Sequence, residues 1–144
     1  MSSGGFPLGT RYTPVPNLVF GPLLEEIDDA AELKCTLRAM WLLHQKKGEH
    51  RYLTADEMTS DTVLYRGLAG LDVSPEEAIL RGLRKGVERG TFLRHQIDGG
   101  TGAQEILFLN DEPGRRALGR IQQNETRIGP LQPVKRPPPD QTAT

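Results

Sequence analysis

Cysteine, aromatic residues, long hydrophobic runs and an excess of either charge are what this chain has little of. It carries one cysteine among 144 residues, which excludes an intramolecular disulfide framework and a multi-cysteine zinc site. Its longest apolar runs are a few residues, short of the roughly 20 that a membrane-spanning helix needs. The start, Met1-Ser2-Ser3-Gly4-Gly5, has neither the positive charge nor the apolar stretch of a signal peptide. With one thiol and no such signal, the expected compartment is the cytoplasm. Lys and Arg number 18 against 19 Asp and Glu, a net charge of −1. That balance excludes a strongly basic nucleic-acid arm and an acidic disordered chain. The length suits one domain.

Glycine and proline gather at the ends. Residues 1–16 read as a flexible arm, and residues 125–144, with Pro130, Pro133 and Pro137-Pro138-Pro139, as a Pro-rich disordered tail. The ordered body is then 17–124. Phe20, Leu23, Leu24 and Ile27 recur at helical spacing and predict a first helix over 17–28, with Gly21-Pro22 blurring its start. Asp29 with Glu32 caps a longer helix reaching about Lys47, its apolar stripe formed by Leu33, Leu37, Met40 and Trp41 and its stop by Gly48.

Tyr52-Leu53 makes a short extended step into Thr54-Ala55-Asp56-Glu57, a capping box that opens a short helix. Residues 61–73 read as a partly helical connection through Val63, Leu64, Leu68 and Leu71. Ser74-Pro75-Glu76-Glu77 stacks three helix-start signals, and Ile79, Leu80, Leu83 and Val87 give that helix a buried face up to Gly90. Thr91–Ile97 and Gln104–Leu109 then read as an antiparallel hairpin around the turn 98–102. Asn110 or Asp111 caps a last helix with Ala117, Leu118 and Ile121 inward. The expected class is α+β, mainly α: a winged helix-turn-helix with a β-hairpin wing and flanking helices.

Two stretches resemble a known family. Tyr52–Met58, Ser74–Ile79 and Val87–Arg94 are similar to winged-helix modules of bacterial transcription and replication proteins. Thr13-Pro14-Val15-Pro16-Asn17 before the helix over 29–43 resembles the N-terminal winged-helix domain of DnaD-like and phage replication-initiation proteins. The resemblance covers about residues 11–124. It implies a primosome role: DNA binding at a replication start, homo-oligomer formation, and contact with helicase-loading proteins. Asn124–Leu131 is similar to the start of that family's C-terminal helical domain, with Asn124 where the family has Tyr. The family's second domain is expected to be absent.

Charge is uneven. Glu25, Glu26, Asp28, Asp29 and Glu32 make residues 25–32 strongly acidic. Arg81, Arg84, Lys85, Arg89 and Arg94 face only Glu88 across residues 78–97. Residues 81, 84 and 85 share one helix face, where cations suit phosphates and arginine reads guanine edges. Candidate DNA-binding residues are therefore Arg81, Arg84, Lys85, Arg89, Arg94 and His95, weighed against an ordinary solvated face. Glu76-Glu77 at the start of the same helix, and a wing tip with Asp98 and Glu105 but no Lys or Arg, disfavour strong or sequence-specific binding. The leading expectation is a DNA-binding replication-initiation accessory. The alternatives are a protein-interaction or oligomerisation module without strong DNA binding, and a transcriptional regulator. Lys46, Lys47, His50 and Arg51, and separately Arg115, Arg116 and Arg120, read as two solvated basic clusters.

No enzymatic chemistry is expected. A phosphate loop is missing, and Gly99-Gly100-Thr101-Gly102 sits in a hairpin instead of before a helix. His44, His50 and His95 share no metal-ligand spacing, and nothing in the sequence supplies Cys35 with a base. Asp28-Asp29 and Glu76-Glu77 lie at helix starts, where capping explains them. No cofactor, metal or membrane partner is expected.

Overall fold

Residues 4–48, 50–98 and 102–128 are described by the structure, a computed structural model. A 3-10 turn over Asn17–Phe20 leads to α1 (Pro22–Glu26), α2 (Ala30–Gln45), β1 (Leu53–Thr54), α3 (Ala55–Thr59) and α4 (Thr62–Gly67). Then follow α5 (Pro75–Arg89), β2 (Phe92–Asp98), β3 (Ala103–Leu109) and α6 (Glu112–Ile128). The architecture is α+β and mainly helical, with one antiparallel three-stranded sheet in the order β1–β3–β2.

Local signals set most boundaries. Thr54 and Glu57 close the capping box of α3, and Ser74 and Glu77 close that of α5, where Pro75 sits in the first turn. Each box satisfies backbone N–H groups that no helical partner reaches. Gly90 ends α5 at φ 93°, a left-handed conformation that glycine adopts without strain. Asp111 caps α6 by accepting from Gly114 N at 2.8 Å. The helix runs on to Ile128, past the expected boundary at 124. Asp61 starts α4 by accepting from Leu64 N. Of the hairpin turn, residues 99–101 lie outside the described residues, as does the Pro-rich stretch from 129.

β3 is the central strand, and both its faces are covered. Leu53 pairs with Leu107, and Leu93 with Phe108. Leu107 points into a core with Ala31, Cys35, Ala39, Ile79, Leu83 and Phe92. Ile106 and Phe108 point the other way, against Ala117 and Ile121 of α6. The sheet is thus sandwiched between α2, α3 and α5 on one side and α6 on the other. Burial on two faces explains the run Ile106-Leu107-Phe108, which alternation does not predict.

Two expected faces are corrected. Residues 17–28 are not one helix: Pro22 has no N–H to continue a helix, and the chain breaks at Gly21 with φ −129° and ψ −103°. Val19 is buried there, while Phe20 and Leu24 are exposed. On α2 the inward stripe is Ala31, Cys35, Ala39 and Leu43, with Met40 also buried, whereas Leu37 and Trp41 face outward. The reason is the approach of α5. A Cβ at Gly82 would stand 2.7 Å from the Ala31 carbonyl oxygen and 2.9 Å from Cys35 Sγ. Helices this close accept only small side chains between them, so the large ones are rotated out. Leu80 is likewise exposed, contrary to its expected inward placement.

Candidate functional site

The candidate surface is the outer face of α5 with β2, which carries all six residues singled out from sequence. α5 is fixed along α2 by Gly82 and by Ile79, whose carbonyl accepts from Cys35 Sγ at 3.7 Å. That contact brings the cationic side of α5 over the acidic lead into α2. The two charged stretches, distant in sequence, meet.

Arg81 donates to both oxygens of Asp29, from Nε at 3.0 Å and Nη2 at 3.2 Å. Lys85 Nζ lies 3.6 Å from the same carboxylate. Asp29 also accepts from Ala31 N, so one side chain caps α2 and clamps α5 to it. The Arg81 hydrogen bond, aided by that backbone bond and the nearby Lys85 charge, holds the Asp29 carboxyl below its ordinary value. In return, Asp29 raises the Arg81 guanidinium above its own.

Arg89 is committed more deeply. Its Nε and Nη2 donate to the two oxygens of Glu32 at 2.5 and 2.9 Å, and Nη1 reaches Glu26 at 3.5 Å. Glu32 is fully buried, with 0% of its side chain exposed. A buried carboxylate is tolerable only when paired and hydrogen-bonded. Arg89 meets that requirement in a forked geometry that lysine lacks.

The remaining candidates divide. Arg84 is 61% exposed and only 4.0 Å from Glu88 one turn on, a weak surface pair. Arg94 pairs with Glu105 across the hairpin at 2.5 Å. His95 turns toward α6, its Nε2 lying 2.9 Å from Glu125 Oε1. Of the six, Arg81, Lys85 and Arg89 are joined through α2's acids, Arg94 and His95 are held elsewhere, and Arg84 alone points outward with a loose partner. Glu77 is engaged in its capping box.

Sequence reasoning missed the acceptors. Asp29 and Glu32 read as helix-start residues, which they are, but their partners lie 52 and 57 positions away. The available signal was the matched pair of oppositely charged stretches. It also missed a second basic site. Arg51 before β1 and Arg116 and Arg120 of α6 converge on one half-open cavity of about 630 Å³, with His44 at its edge. Its apolar wall is Val15, Met40, Leu43, Leu109 and Ala117.

Cys35 is buried beneath α5, and desolvation, with Asp29 and Asp61 nearby, pushes its thiol up to about 12. A thiol so raised is a poor nucleophile. Among the described residues, no group of three or more His, Cys, Asp or Glu is placed to hold a metal ion, and no helix is long and apolar enough to cross a membrane. No family model, curated protein or solved structure matches the chain.

Proposed function

We propose that this chain is a winged-helix protein-interaction and oligomerisation module, serving replication initiation in the DnaD-like manner its sequence resembles, and not a reader of DNA through α5. The winged-helix reading is supported by the order α2, β1, α3–α4, α5, hairpin and by the sheet order β1–β3–β2. One observation carries the functional reading: Arg81, Lys85 and Arg89 are engaged by Asp29 and Glu32 of the same chain. A phosphate would have to displace those carboxylates, so the counterion-release gain that drives DNA binding is small here. Exposed apolar side chains point the same way. Phe6, Leu8, Tyr12, Leu18, Phe20 and Leu24 are all more than half exposed on the segment preceding α2, the kind of surface that marks a protein contact.

The test is fluorescence anisotropy with a labelled duplex at low ionic strength. The expected result is weak binding that does not change when Arg84→Ala is introduced. Tight binding that falls steeply with salt and is lost in Arg84→Ala would replace this reading with the DNA-binding one. That second reading rests on Arg84, the one α5 cation left to solvent.

A further inference from the structure

The two hydrophobic clusters of the fold both border the half-open cavity. α2 packs on one face of the sheet and α6 on the other. Leu43 belongs to the first cluster and Ala117 to the second, and both line the same space of about 630 Å³ beside Leu109, the last residue of β3. Val15 lines it from the arm. A space of that size suits a small organic molecule.

The wall is aliphatic. Among the described residues no Phe, Tyr or Trp lines it, so it offers no platform on which a nucleobase or other flat ring would stack. The edge is cationic. Arg51 and Arg116 are both exposed and reach it from different elements, the loop before β1 and the second turn of α6. Arg116 pairs with Glu112 at 3.4 Å, the two side chains being 57% and 75% exposed. So exposed a pair contributes little and exchanges readily for a better-placed anion. Arg120 lines the same edge and is itself engaged within the chain. Asp111 is the one acid among the lining residues, and its Oδ1 accepts from the Gly114 N–H.

We propose that the cavity is a binding site for a small aliphatic anion. Its carboxylate or phosphate is held by the Arg51 and Arg116 guanidiniums, and its hydrocarbon body lies against Met40, Leu43 and Ala117. Guanidinium forks match both oxyanions, and each methylene taken out of water strengthens binding by up to about fourfold. Because the walls come from the arm, α2, β3 and α6, a bound molecule ties those elements together and stabilises the folded chain by mass action. No α5 residue lines the cavity, so the site stands whatever the α5 face meets.

The test is isothermal titration calorimetry of the full chain with octanoate and with octyl phosphate, alongside thermal melts. At least one probe is expected to bind, one molecule per chain, and to raise Tm. The tighter of the two identifies the head group, a carboxylic acid or a phosphomonoester. The same probe with two methylenes fewer is expected to bind roughly tenfold more weakly. Octyl glucoside has the tail without the charge, inorganic phosphate the charge without the tail, and both are expected to bind far more weakly. Arg51→Ala with Arg116→Ala is expected to cost the anionic probe about tenfold or more in affinity. Val15→Trp, which fills the cavity from the arm, is expected to abolish binding. Circular dichroism melts matching the wild type show that each ligand-free variant is folded.

Octyl glucoside binding as tightly as the anionic probes would overturn the proposal, since the arginines would then select nothing. So would anion binding that survives either variant at full strength, or the absence of both heat and a Tm shift with millimolar octanoate and octyl phosphate. Failure of the interaction-module reading would instead appear as Arg84-dependent DNA binding in the anisotropy experiment.

Discussion

Two groups of arginines in this protein look alike in sequence and differ in what they face. On α5, Arg81 and Arg89 are met by forked carboxylates of α2, one half-buried and one wholly so. Around the cavity, Arg51, Arg116 and Arg120 line a space with an apolar wall, and the Arg116 pair with Glu112 is an exposed one. The first group holds the fold together. A cationic stretch therefore identifies a binding face only after the chain's own acids have been assigned to their partners.

The comparison breaks most visibly at Glu32. Arg89→Ala leaves a fully buried carboxylate without its partner and is expected to cost about 3–5 kcal/mol in urea denaturation. Gly82→Val attacks the same contact sterically, forcing α5 off the Ala31 carbonyl, with an expected loss of about 2–3 kcal/mol and a lower Tm. Next comes acid. The Asp29 carboxyl is depressed by Arg81. The Asp61 carboxyl, which burial alone would raise, is brought below its usual value by Arg38 and the backbone N–H of Leu64. A depressed carboxylate stabilises fully above its unfolded value of 3.8 and loses that contribution as pH falls through its lower folded value. Asp29→Asn is therefore expected to be less stable than wild type at neutral pH, with the gap closing as pH falls below about 4, as urea midpoints at both pH values would show. The smallest effect sharpens the contrast. Arg84→Ala and Arg116→Ala, each removing an exposed i,i+4 pair, are expected to change stability by less than about 0.5 kcal/mol.

Much of the fold was legible because it is written locally. Ser74-Pro75-Glu76-Glu77, Thr54 with Glu57, Gly90 and the change of period after it act within a few residues of where they stand, and the structure places those boundaries within a residue or two. The facing of α2 was not legible. Leu37 and Trp41 are the obvious inward residues until the distance to α5 is known, and that distance is set by Gly82 in another element. Outside, Trp41 is covered in part by Arg38, whose guanidinium carbon lies 4.4 Å from the ring centroid while the same group grips Asp61. The candidate site fared the same way. Helical spacing put Arg81, Arg84 and Lys85 on one face, but spacing within a helix says nothing of which acids come to meet that face. Nor could it show Arg51 and Arg116, 65 positions apart in sequence, on one cavity.

The most direct test of the α2–α5 charge pairing is a double-mutant cycle at Glu32 and Arg89, read by urea denaturation. If the basic stretch of α5 exists to satisfy the acids of α2, Glu32→Leu and Arg89→Leu singly lose stability. Combined, they return to within about 1 kcal/mol of wild type, because no charge is left buried and unpaired. Losses that simply add would mean the two side chains act independently, and that Arg89 is free for another partner.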